Sequence, residues 1–233
     1  LPALTVRARQ RMARGLAFSA NYPISKAIDD ASDLGATTFE TNLPQDVRNM
    51  AAERALASFD HRHRFVGNVT YTIPSLADAR GFAAALISGW RLSAVAMLQS
   101  GAPFTVNLGT DRANIGSGPA QRPDPLCDPN QDAPHTAAQW FNTACFALPA
   151  PFTFGNAERN SVASPGYADV DFSVAKAVRL ANGARLELRW EIFDALNRAN
   201  FDVPNRIFGT PNFGRIFSAL PARQMQLGAK LLF

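Results

Sequence analysis

Apolar and polar residues alternate with period two along seven stretches of this chain, and such alternation predicts β-strands. In the first, Leu4, Val6 and Ala8 interleave with Thr5, Arg7, Arg9 and Arg11. After the tight turn Met12–Ala–Arg–Gly15, Leu16, Phe18, Ala20 and Tyr22 alternate with Ala17, Ser19 and Asn21, so the pair reads as a hairpin. The third strand, about 62–73, places Phe65, Gly67, Val69, Tyr71 and Ile73 on one face. Arg64, Val66, Asn68, Thr70 and Thr72 occupy its other face. The fourth sets Trp90, Leu92, Ala94, Ala96 and Leu98 against Arg91, Ser93, Val95, Met97 and Gln99. The fifth, 168–178, sets Val170, Phe172 and Val174 against Asp169, Asp171 and Ser173. The sixth sets Leu186, Leu188, Trp190 and Ile192 against Arg185, Glu187, Arg189 and Glu191. In the last, Met225, Leu227, Ala229, Leu231 and Phe233 alternate with Gln224, Gln226, Gly228 and Lys230, and Leu232 alone breaks the pattern.

The connections alternate between short and long. Residues 12–15, 74–88 and 180–183 make the shorter links, the last through an Asn-Gly pair that tolerates positive φ. The long ones cover about 29–60, 100–166 and 197–221, and a short helical stretch is expected around 47–56. A 67-residue segment such as 100–166, without elements of its own, is foreign to a compact soluble domain. Long loops on one side and tight turns on the other suit antiparallel strands that cross a bilayer. The expected fold is all-β: an antiparallel transmembrane β-barrel segment of about seven strands with long extracellular loops, an incomplete barrel forming one domain over 1–233. Parity then places the short turns and the C-terminus at Phe233 on the periplasmic side. A soluble β-sandwich alternates in the same way and stays open as an alternative.

The two faces differ in charge. Arg7, Arg9, Arg91, Arg185, Glu187, Arg189 and Glu191 all fall on the polar face, as expected of a lumen wall or of contacts to a domain inside it. Leu188, Trp190, Leu227, Leu231 and Phe233 fall on the apolar face, as expected of residues that meet lipid. Lys176 and Arg223 are the charges on that face, both near strand ends where a long stem can snorkel to the interface. Tyr22, Tyr71, Trp90 and Tyr167 also fall near strand ends, where an aromatic girdle is expected.

Composition narrows the classes further. Hydrophobic residues make up 47% of the chain, yet they are dispersed by alternation. The charge-free stretch Leu92–Thr110 is interrupted by Gln99, Gly101, Pro103, Asn107 and Gly109, which excludes a spanning helix of about 20 apolar residues. Lys and Arg outnumber Asp and Glu by 23 to 19, and the basic residues are spread over strands, which argues against nucleic acid as a partner. The chain starts at Leu1 with no export signal, and so reads as a fragment or a processed product.

Cys127 and Cys145 lie 18 residues apart with no CxxC and no histidine at ligand spacing, so zinc is not expected. A local disulfide in an oxidising compartment would tether the loop by ~3 kcal/mol, with two free thiols as the other possibility. His61 and His63 share a face, but with Asp60, Arg62 and Arg64 they read as a polar rim. Asp29, Asp30 and Asp33 match no calcium-loop spacing. Residues Asp111 to Gly118 are glycine-rich but lack the lysine of a phosphate loop, and Gly155 to Asn160 reads as a loop turn. No catalytic constellation, metal site or cofactor site is expected, and the chain is not expected to be an enzyme.

Several phrases, taken in order, resemble the TonB-dependent receptors of the outer membrane, in particular the Oar-like branch. They are Ile24–Ser–Lys–Ala–Ile–Asp–Asp–Ala–Ser32, Ser58–Phe–Asp–His–Arg–His–Arg–Phe65, Gly89–Trp–Arg–Leu–Ser93 and Gln99–Ser–Gly–Ala–Pro–Phe104. Gln139–Trp–Phe–Asn–Thr143, Thr153–Phe–Gly–Asn–Ala–Glu–Arg–Asn160, Arg189–Trp–Glu–Ile–Phe–Asp–Ala–Leu–Asn197 and the ending Leu227–Phe233 continue the series. The resemblance implies the C-terminal third of a 22-stranded barrel, with earlier strands, an N-terminal plug and an energy-coupling box supplied by the same protein. It implies uptake of a scarce nutrient such as an iron chelate or a glycan, driven through the TonB complex. A structural or adhesive barrel without active uptake, and a secreted β-sandwich binding module, are the alternatives.

Overall fold

The computed structural model describes residues 2–31, 43–74, 87–116, 120–180 and 183–233. Seven long strands form one antiparallel sheet: β1 Ala3–Ala13, β2 Leu16–Ser25, β3 Arg64–Thr72, β4 Trp90–Gln99, β5 Tyr167–Arg179, β6 Arg185–Phe193 and β7 Gln224–Leu232. Their order in the sheet is their order in the chain, and the sheet is not closed. Every step between neighbours is therefore a simple up-and-down connection.

Register carries the apolar face across all seven strands. Val6 pairs with Tyr22, Phe18 with Val69, Val69 with Ala94, and Ala94 with Phe172. Phe172 then pairs with Ile192 and Ile192 with Met225. Because side chains alternate strictly, this single register also gathers the polar residues on the opposite face. Lys176 crosses to Trp90 on the apolar face, holding its ammonium 4.9 Å from the ring centroid while Nζ donates to the Ser88 carbonyl. Tyr167 departs from the expected girdle. It pairs with Gln99 and so belongs to the polar face, where its hydroxyl donates to Asp169 Oδ2 at 3.0 Å.

The β1–β2 turn is set by backbone chemistry. Ala13 pairs with Leu16, and the two residues between them, Arg14 and Gly15, have φ of 50° and 83°. Two positive φ values give the primed turn whose twist matches paired strands. A Cβ on Gly15 would lie 2.2 Å from the Thr72 carbonyl oxygen, so no other residue fits. The turn after β5 includes residues 181 and 182, which lie outside the described residues.

The tightly packed core lies away from the sheet. Apart from Ala168 at the start of β5, the buried apolar side chains among the described residues lie outside the seven strands. Phe104, Val106, Phe141, Cys145, Phe146, Ala157 and Val162 form a cluster, with Trp140, Phe208 and Phe213 packed on it. Phe141 meets Phe213 edge to face at 5.1 Å and Phe104 at 5.8 Å. Segment 100–166, expected to be irregular, is thus a folded lobe with a core of its own. Two-residue ladders brace it: Pro103–Phe104 with Val162–Ala163, Asp124–Pro125 with Phe146–Ala147, and Asn107–Leu108 with Ile207–Phe208 from the third loop. The helical stretch expected at 47–56 is reduced to one 3-10 turn, Met50–Glu53, because Ala55–Leu56 is drawn into pairing with Ile28–Asp29.

Candidate functional site

Two regions carry polar chemistry: the loop lobe and the polar face of the sheet. In the lobe, Cys127 and Cys145 are joined by a disulfide, with Cα atoms 4.7 Å apart. Arg122 is its electrostatic centre. Its Nη1 lies 2.7 Å from Glu53 Oε2, with both side chains almost fully buried. Nε donates to the Ala157 carbonyl, and the Arg122 amide donates to Gln45 Oε1. Gln45 in turn donates to the Gly155 carbonyl. A buried ion pair persists only when its remaining donors and acceptors are satisfied, as they are here. Arg159 repeats the device. Its Nε donates to the Glu53 carbonyl and its Nη2 grips the carbonyl and carboxylate of Asp29.

Of the residues weighed in the sequence, Asp29, His61, His63 and Asp111 have partners within the chain. Asp29 is engaged by an arginine, not left open for a cation, and Asp33 lies outside the described residues. His61 Nδ1 is 2.7 Å from the Ser100 carbonyl, and His63 Nδ1 is 2.9 Å from the Tyr22 hydroxyl, so each imidazole has its own partner. Among the described residues no group of three or more His, Cys, Asp or Glu is placed to hold a metal ion. Asp111 folds its carboxylate back onto its own loop. A hydrogen bond from Gln121, followed by backbone amides of Ile115 and Gly116, holds it below the usual carboxylate range.

The segment 155–160, read from sequence as a turn, supplies tightly held residues of the lobe. Gly155 has the carbonyl oxygen of Arg122 where its Cβ would be, at 2.2 Å. Asn160 takes a hydrogen bond from Thr105 Oγ1 and donates to the Leu56 carbonyl. A polar cleft remains open between the first and second loops, lined by Asp46, Asn49, Arg122, Phe154, Asn156 and Glu158 among others. Sequence reasoning missed Arg122, Glu53 and Arg159, since nothing local signals partners 69 and 130 residues apart.

On the sheet, register brings the polar candidates onto one face. Arg91 and Arg189 lie in one row with Ala175 between them and Gly228 beyond. Glu187 pairs with Lys230, and Arg185 lies directly opposite Arg179. Arg189 bonds Glu187 at 2.7 Å and reaches Glu191 at 3.5 Å. Arg7 donates to Asn21 across the first hairpin, and Arg9 stands two residues further along the same face. At the loop end of this face lie Asp169, Asp171 and Asp194. The Asp194 amide donates to Asp171 Oδ1, while Asp169 Oδ1 and Asp194 Oδ2 are buried and accept no hydrogen bond from the described residues.

The apolar face is bare. Leu188, Trp190 and Leu231 are close to half exposed, Leu227 is 83% exposed and Phe233 fully so. Contiguous apolar surface on this scale marks contact with a partner or a membrane. Among the described residues no helix is long and apolar enough to cross a membrane. A family model described as an outer membrane beta barrel domain matches residues 2–226, from the first strand into the last. No curated protein and no solved structure matches the chain.

Proposed function

The chain belongs to the outer membrane beta barrel domain family of the bacterial outer membrane, and from that footing we propose that it is the C-terminal wall of a TonB-dependent receptor of the Oar-like type. Its role is nutrient uptake, of an iron chelate or a glycan, and it is not an enzyme. The observation that carries this reading is the open seven-stranded sheet whose faces differ in polarity over its whole width. Outward apolar and inward polar residues are the pattern of a barrel between lipid and a wet lumen. The ordered phrases from Ile24 to Phe233 support the finer assignment.

In this reading Leu188, Trp190, Leu227, Leu231 and Phe233 meet lipid. Arg7, Arg9, Arg91, Arg185, Glu187, Arg189 and Glu191 face the lumen and the plug domain. The lobe and the long loops are extracellular, the C-terminus is periplasmic, and ligand first meets the cleft beside Arg122. Further strands of the same protein complete the barrel, and the TonB complex supplies energy.

The test is growth of the parent bacterium on iron chelates and glycans as limiting nutrients, with the full-length gene intact or deleted, and with the energy-coupling complex intact or deleted. Loss of growth on the same nutrient in both deletions is the expected result. Growth unaffected by either deletion would remove the uptake reading and leave a structural or adhesive barrel, to which the disulfide-tied lobe with exposed Leu126, Leu148 and Phe152 is also suited.

A further inference from the structure

The apolar face of the sheet changes character at its loop end. On β1 and β2, Leu4 pairs with Ile24, and the pairing runs one step past the strands, where the Lys26 amide donates to the Pro2 carbonyl. Lys26 therefore keeps the parity of Tyr22 and Ile24 and stands on the apolar face. Along that face the exposed side chains of Val6 and Leu4 give way to Tyr22, which stacks on His63 with its hydroxyl 2.9 Å from His63 Nδ1. Amphipathic rings of this kind mark the edge of the hydrocarbon. Lys26 follows Tyr22 by four residues, roughly 13 Å along an extended strand, and so stands at the depth of lipid headgroups.

There Pro2 and Lys26 border a groove of about 670 Å³, against about 190 Å³ for the cleft beside Arg122. Ile28 lines it too, as do Met50 and Arg54 at the 3-10 turn. Ile28 and Met50 are nearly half exposed. Among the described residues, Lys26 and Arg54 form no ion pair. Two carboxylates also border the groove; Asp29 is held by Arg159, so the two cations outnumber Asp30.

We propose that this groove binds the phosphorylated head of an acylated glycolipid of the outer leaflet. Lys26 and Arg54 take the phosphate, Ile28 and Met50 lie against the C–H faces of the sugar, and Leu4 and Val6 meet the acyl chains below. This rests on the extracellular placement of the long loops given above. The position of the groove selects the occupant. Its rim residues Pro2 and Lys26 belong to the apolar face, continuous with Leu4, so chains attached to a head bound there reach hydrocarbon. The charges agree. A guanidinium holds phosphate through forked hydrogen bonds and an ammonium holds it as a point charge, whereas a neutral sugar would leave both cations unanswered. Basic side chains gathered beside a membrane are the usual recognition device for anionic headgroups.

The experiment titrates the full-length protein in detergent micelles with bis-phosphorylated lipid A and reads bound lipid by native mass spectrometry. The native protein is expected to bind it, and dephosphorylated lipid A should bind about ten-fold more weakly. The double substitution Lys26→Glu with Arg54→Glu should weaken binding of the phosphorylated lipid by a similar factor. The neutral pair Lys26→Gln with Arg54→Gln should give an intermediate loss. The charge-keeping pair Lys26→Arg with Arg54→Lys should bind as the native protein does, and Asp30→Asn should bind at least as well. Equal binding across the charge series, or equal binding of the two lipids, overturns the groove assignment while the receptor reading stands. Failure of an impermeant maleimide to label Thr153→Cys in the lobe on intact cells removes the orientation on which both rest.

Discussion

The lobe and the sheet are built from one chain by opposite rules. In the lobe, phenylalanines from distant positions meet in a closed core, and charges are buried in pairs. In the sheet, apolar side chains share one face and stay exposed, and charges line the other. Hydrophobic burial against protein stabilises the first. The second has no such core, and its order comes from the hydrogen-bonded ladder and from the two media its faces separate. The same residue types therefore do different work in the two regions. Arg122 beside Glu53 has left water, whereas Arg189 beside Glu187 keeps nearly half of its side-chain surface exposed.

The contrast can be broken first at the buried pair. Glu53→Gln leaves the Arg122 guanidinium buried without its counter-charge and should cost the lobe about 3–5 kcal/mol. Hydrogen exchange would show faster opening of residues 43–60 and 120–125, with β5 and β6 unchanged. Next comes the outward face. Leu188→Arg in the full-length protein puts a charge toward lipid and should destabilise the membrane-embedded barrel by about 2–4 kcal/mol, read from urea unfolding in lipid vesicles. A neutral result there would mean that this face is covered by protein, and the membrane reading of the sheet would fail.

The exposed pair should respond far less. Glu187→Gln removes one partner of Arg189 in solvent and should change stability by roughly 0–1 kcal/mol, which the same unfolding assay resolves from the effect at Leu188. The smallest effect is expected at Asp111. Its carboxyl is held below the usual range when folded, so its contribution to stability is present above the unfolded value of about 3.9 and is lost as pH falls through the lower folded value. Asp111→Asn should lack this acid-limb loss, so melting curves of the two proteins should converge as the pH is lowered below roughly 4.

The sheet was legible because a strand writes its two faces into alternate residues, and seven short stretches kept that pattern with few departures, Leu232 among them. The first turn, expected over 12–15, narrows to Arg14 and Gly15, because Ala13 pairs with Leu16 after a register shift between Gln10 and Ala13. Tyr167 shows that a place near a strand end is a poor guide to a girdle: its parity with Asp169 and Asp171 sets it on the polar face, as the register with Gln99 shows. The lobe was not legible. Phe104, Phe141, Phe146 and Phe213 lie at irregular spacings, so no window of the sequence contains their common core. The partners of Arg122 and Arg159 are likewise fixed by tertiary packing alone. Gly155 reads as an ordinary turn residue until the carbonyl of Arg122 is seen to occupy its side-chain space.

The lobe also joins what the sheet keeps apart. Its strands, ion pairs and aromatic contacts come from three separate connections, each springing from a different hairpin. It therefore works as a lintel over one rim: the hairpins beneath cannot splay independently, and a pull on any one of them is shared with the others.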